Sequence, residues 1–185
     1  MNSLFRFSGR AGAFGVLALG PAILALFLAP GPGLADAPLA APALKTVCSP
    51  NGVYCAVMDP NTSLTRVHRA GRANETLWSM TGWFRVAALS DDGKHLVTGY
   101  DGMNLLPLDY APDTVVLTFH KRGEVIRRVK LSDVVGDLAK LQPTVSQLYW
   151  GHYVGFNETG RYVIETVEGR RLAFDVATGQ LVDTR

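Results

Sequence analysis

The chain is poor in cysteine, with only Cys48 and Cys55 in 185 residues. It contains no Cys-x-x-Cys, no His-Glu-x-x-His and no Gly-x-Ser-x-Gly, so the short signatures of redox dithiols, zinc hydrolases and α/β-hydrolases are missing. Gly93-Lys94-His95 lacks both the upstream glycine and the following Ser or Thr of a phosphate loop. Charge is sparse at 18%, and the formal net charge of +2 owes its sign to Arg6 and Arg10. Without those two, 16 basic residues face 16 acidic ones, which argues against a nucleic-acid or anionic-membrane partner. The clusters Arg127-Arg128-Lys130 and Arg170-Arg171 read as solvated strand faces. One long apolar run exists, residues 13–29, but at 17 residues it is shorter than the roughly 20 that span a bilayer, and Gly20-Pro21 interrupts it.

What is present at the N-terminus is the layout of a secretory signal peptide. A basic start without acids leads into the apolar run, and "GPGLADA" supplies small residues for a peptidase, with the cut expected after Ala35. Residues 1–35 are therefore expected to be a signal, 36–43 a flexible linker, and 44–185 the domain. The expected location is secreted or periplasmic, in a bacterium. If the signal stays uncleaved, it becomes a membrane anchor. About 150 remaining residues can bury roughly 68–70% of their unfolded surface, enough for a core. In an oxidising compartment Cys48 and Cys55, separated by the turn-forming Pro50-Asn51-Gly52, are expected to form a disulfide; the alternative is two small buried hydrophobes.

The chain repeats. "SPNGVYCAV", "SDDGKHLVT" and "NETGRYVIE" each place a polar turn and a glycine before a strand-like run, at Gly52, Gly93 and Gly160. A second turn follows each, at Gly71, Gly123 and Gly179. The spacing between first and second turns is 19, 30 and 19 residues, and the basic period is 41. Two glycine turns in a period near 40 predict four short antiparallel strands per unit. The units are 44–80, 83–131 and 148–183. Alternation in "VVLTFH" and "RLAFDV" puts one face of each sheet inward. Between the second and third units, Val134, Val135, Leu138 and Leu141 fall at helical spacing. They predict one short amphipathic helix over about 133–142, with Ser132 as its cap, Asp133 at its positive end and Pro143 as its stop.

"CSPNGVYCAV", "LSDDGKHLVT" and "AFDVATGQLV" resemble the WD-like blade repeats of secreted bacterial β-propellers of the TolB and quinoprotein-like types. "GYDGMNLLPLDYAPDTVVLTF" resembles secreted proteobacterial proteins of uncharacterised activity. The resemblance implies an all-β fold of blade-like meanders and carries over no catalytic residue. Propellers close with about four to eight blades, whereas three units are counted here. Three arrangements stand: an open stack, a ring closed by a homodimer, or a sandwich.

The surplus of about 11 residues in the second unit lies between its two turns and must project as a loop. This 101–113 loop, with Tyr100 at its root, carries Asp101, Asn104, Leu105, Leu106, Asp109, Tyr110 and Asp113. Its mixed apolar and acidic character suits a protein partner in the cell envelope. Its oxygens could also hold calcium, and Leu105-Leu106-Pro107 reads as a hydrophobic plug. The second candidate surface is Trp150, His152 and Tyr153, as a stacking platform or as core. His68 and His120, each just before a second turn, read as repeat-related surface residues, and His95 as a strand residue with a satisfied ring. The sequons at Asn61, Asn74 and Asn157 read as turns. The expected function is an exported binding or protein-interaction module; the alternative is a periplasmic hydrolase-like enzyme using the loop carboxylates, with or without a metal.

Overall fold

The computed structural model describes residues 39–184; the expected signal segment and the start of the expected linker lie outside them. The fold is all-β. A first antiparallel sheet runs β1 (Lys45–Cys48), β2 (Tyr54–Asp59), β3 (Leu64–Arg69), β4 (Thr76–Thr81). A second contains β5 (Ala87–Leu89), β6 (His95–Gly99), β8 (Val115–Lys121) and β9 (Glu124–Lys130). A third contains β12 (Gly151–Phe156), β13 (Tyr162–Thr166), β14 (Arg171–Phe174) and β15 (Leu181–Thr184). Each is a meander in which consecutive strands pair, and no broad packing of strand on strand joins the first sheet to the third.

The repeated corners are chemically alike. Gly52, Gly93 and Gly160 have φ of 71°, 63° and 72°, and their N–H groups donate to the carbonyls of Ser49, Ser90 and Asn157. In the first two, a serine hydroxyl donates to the residue two places on: Ser49 to Asn51 at 2.7 Å, Ser90 to Asp92 at 2.5 Å. In the third, the Asn157 carboxamide oxygen accepts from Thr159 N, Thr159 Oγ1 and Arg161 N, so this expected turn residue closes a corner one residue shorter. The first corner places Cys48 directly opposite Cys55, and they are bonded. The neighbouring pair is tied by Ser49 N to Tyr54 O at 2.8 Å, so the cysteines form a non-hydrogen-bonded pair, whose side chains approach most closely. Closing so short a ring stabilises by about 2–3 kcal/mol.

Two cores hold the sheets. Ala56, Val67, Leu89 and Leu96, with Tyr54, Trp78 and Met80 against them, join the first sheet to the second. Phe119, Leu117, Tyr162, Ile164, Leu172 and Phe174 join the second to the third, and Leu106, Leu131, Val134, Leu141 and Trp150 extend that core.

Three local expectations change. The helix is a single turn, α1 (Leu131–Val134), followed by a 3-10 turn at Leu138–Lys140. Gly136 N donates to Glu168 Oε2 at 2.9 Å, and this bond to another segment takes the place of a further helical one. Lys130, not Ser132, is the N-cap, and the Asp133 carboxylate accepts from its N–H. His68 and His120 are buried rather than on the surface. The register shifts opposite each, where Leu77 of β4 and Ile126 of β9 are the extra residues, and packing covers both faces of the histidine's own strand, so the consecutive Val67 and His68, like Phe119 and His120, are all buried. The third unit's first strand is not continuous. It breaks at Trp150, leaving β11 (Gln147–Tyr149) to a fourth, three-stranded sheet with β10 (Gln142–Pro143) and β7 (Leu105–Pro107).

Candidate functional site

The fourth sheet brings the two surfaces nominated from sequence together. The 101–113 loop does not project freely: Leu105 pairs with Tyr149, Leu106 with Leu148 and Pro107 with Gln147. The Trp150 indole N–H donates to Met103 O at 3.0 Å, and Trp150 N donates to Asn104 O at 3.2 Å. The Tyr153 hydroxyl accepts from Tyr100 N at 2.9 Å and donates to Val116 O at 3.0 Å, with Met103 O at 3.3 Å. Burial pushes the Tyr153 phenol above its ordinary range, so it stays a donor, and the bond from Tyr100 N opposes that shift only in part. Met103 holds φ of 59°, a conformation that disfavours side chains, and so turns its carbonyl to both aromatics.

This lock forms one wall of a cleft of ≈ 390 Å³. Lys45 comes from the first sheet, Arg85–Ala88 from the approach to β5 and β5 itself, and His152–Gly155 from β12; Met103, Asn104 and Tyr162 complete it. Lys45 Nζ donates to Arg85 O at 2.6 Å. The Arg85 guanidinium lies 5.3 Å from the Trp83 ring and donates through Nη1 to Ala40 O at 2.7 Å. Trp83 Nε1 donates to Ala43 O at 2.8 Å, so the stretch expected as a linker is tied to this wall. Asp101 Oδ1 stands 3.5 Å from Arg85 Nε. On the other side His152 Nε2 lies 3.9 Å from Glu165.

Of the residues expected to bind, Asn104, His152 and Tyr153 line the cleft, and Asp101 reaches its Arg85. Leu106 and Trp150 are fully buried, so Leu106 offers nothing to a partner and the stacking platform loses its indole to the core. Leu105 and Tyr110 are half-buried, whereas Asp109 and Asp113 are exposed away from the cleft lining. Among the described residues no three His, Cys, Asp or Glu side chains gather closely enough to hold a metal ion. Neither Lys45, which opens β1, nor Arg85, two residues ahead of β5, has a motif around it that marks it from sequence.

A second groove of ≈ 630 Å³ lies between β4 and the second sheet, lined by Thr98, Thr118, His120, Arg122, Glu124 and Arg128 among others. His120 Nε2 bonds Thr98 Oγ1 at 3.1 Å, while Nδ1 has no partner. Burial, and then the Arg128 charge, lower its pKa to about 4. His95 is satisfied on one side only: Nδ1 meets Asp92 at 3.1 Å and Nε2 has no partner.

No family model matches the chain, and no curated protein matches it. Among solved structures, Kuenenia stuttgartiensis hydrazine synthase is similar at 17% identity over 76% of this chain and 36% of its own, with a TM-score of 0.38. The β-propeller domain of Myceliophteria thermophila Cps50 (Swd1) is similar at 16% identity over 76% of this chain and 41% of its own, with a TM-score of 0.36. This chain thus spans less than half of either, and likeness that distant says nothing of activity. The fold itself defines the class: an all-β protein of blade-like meanders whose sheets, among the described residues, do not close into a ring.

Proposed function

We propose that this chain is an exported binding module of the bacterial cell envelope, and that its ligand is an extended segment of a partner protein laid along the cleft. One observation carries the reading: among the described residues β5 and β12 each hydrogen-bond to a single neighbouring strand, and both contribute to the walls of the same cleft. A strand with an unpaired edge offers main-chain N–H and C=O groups that an extended peptide satisfies, while the side chains around it select residues. Val86, Ala87, Ala88 and Val154 supply apolar contact, with the cations Lys45 and Arg85 on one side and His152 on the other. Export is supported by the signal-like start and by the Cys48–Cys55 bond, which suits an oxidising compartment.

Site-specific photo-crosslinking in living cells tests this. Val154 lines the cleft and is 43% exposed; Val145 is 72% exposed and outside the lining. A photoreactive residue at Val154 is expected to capture one discrete envelope protein, and the same residue at Val145 is expected not to. Equal capture from both positions, or none from Val154, defeats the reading.

A further inference from the structure

We infer that the Lys45–Arg85 end of the cleft reads a carboxylate on the bound segment, and that Asp101 occupies this place until the segment arrives. The inference rests on the peptide-binding reading of the cleft and specifies what the peptide must carry.

Two cations share this corner. The bond from Lys45 Nζ to the Arg85 carbonyl holds the ammonium at the residue that carries the guanidinium, and a lysine has two further hydrogens to donate. Burial, and then the Arg85 charge, hold the Lys45 pKa below its ordinary value, as expected of like charges brought together out of water. Arg85 is pre-set for recognition: Nη1 is held by Ala40 O, its plane is held near Trp83, and its side chain is only 14% exposed. Its Nε is buried and makes no hydrogen bond. Asp101 Oδ1 stands 3.5 Å away, an ion-pair distance without hydrogen-bond geometry.

That carboxylate is a weak incumbent. The Asp101 side chain is 77% exposed, so it is free to swing outward into water. Of the other titratable groups in the lining, burial raises the Tyr153 and Tyr162 phenols and keeps them neutral, and His152 lies 3.9 Å from Glu165. One exposed acid at 3.5 Å from Arg85, with Lys45 the second cation of the lining, leaves the Arg85 Nε donor unsatisfied and positive charge uncompensated. A carboxylate entering from the ligand accepts from Arg85 Nε and Lys45 Nζ together, which gives charge-assisted bonds that Asp101 does not make. Val86, Ala87, Ala88 and Met103 lie in the same lining, so the acid is expected beside apolar residues. The acid's source is an aspartate or glutamate side chain, or the end of a chain.

Three heptapeptides of alternating valine and threonine decide it: one with a central glutamine and blocked ends, one with a central glutamate and blocked ends, and one with a central glutamine and a free C-terminal carboxylate. Affinities are measured by calorimetry on the purified protein and on the variants Asp101→Asn and Lys45→Met, with circular dichroism confirming that both remain folded. A carboxylate peptide is expected to bind about tenfold tighter than the blocked glutamine peptide. Lys45→Met is expected to remove most of that preference. Asp101→Asn, which alters an exposed side chain, is expected to tighten the preferred acidic peptide by roughly three- to tenfold and leave the blocked glutamine peptide unchanged. Whichever acidic peptide is preferred identifies the source. Equal affinity for all three, or no tightening in Asp101→Asn, overturns the inference while the Val154 crosslink still stands on its own. Crosslinking that fails while the acidic preference persists leaves a carboxylate site and removes the partner-protein reading.

Discussion

Gly93 shows how one corner of a repeat can cost more to change than its equivalents. All three first-turn glycines have positive φ, where a Cβ costs about 1–2 kcal/mol. A Cβ at Gly52 or Gly160 meets open space, but at Gly93 it falls 2.5 Å from the Tyr54 ring. Gly93→Ala is therefore expected to cost about 1–3 kcal/mol more than Gly52→Ala or Gly160→Ala, measured by urea unfolding. His120 sets a second expectation. Its folded pKa of about 4 lies below the ordinary 6.5, so the unfolded chain takes up a proton first as pH falls. Stability is expected to decline from about pH 6.5 to about pH 4 and then level off for this group, by at most about 1.4 kcal/mol per pH unit. Replacement by glutamine is expected to flatten that decline in urea titrations across the range. The turn glycines were legible because positive φ selects glycine locally. The burial of His120 was not, because it depends on Phe84, 36 positions earlier, whose ring centroid lies 6.0 Å away.

At the scale of elements, alternation and turn spacing located all twelve strands of the three meanders. They failed at β7 and β11. Two three-residue strands, some forty positions apart, carry no periodicity to detect, and Gln147–Tyr149 runs straight into β12 in sequence. Only a close backbone approach separates them: a Cβ on Gly151 would lie 2.3 Å from Glu165 O. The one short helix is present but ends early for a related reason, since the residues after Val134 are drawn to Glu168, which takes both Gly136 N and the Lys140 ammonium. Tyr153 is the testable hinge between loop and third sheet. Tyr153→Phe strands Tyr100 N without its acceptor and removes the donor to Val116 O, and is expected to cost about 1–3 kcal/mol of unfolding free energy. Unchanged stability in that variant would show that water replaces the hydroxyl.

The molecule as a whole keeps its apolar mass in two interfaces, between the first and second sheets and between the second and third. The middle sheet is thus the common support, and the insertion that decorates it reaches across to the third. Among the described residues no helix is long and apolar enough to cross a membrane. The insertion was legible from its length alone; the strand it pairs with was not, because the pairing is set by packing over Leu106 and Trp150 rather than by any local preference. That pairing has a durable result. Residues 108–113 are mostly exposed, yet the strand before them is stitched to β11 and the strand after them lies inside the second sheet. A protease that severed the backbone there would produce two polypeptides still clasped along both seams, a molecule cut in sequence and whole in solution.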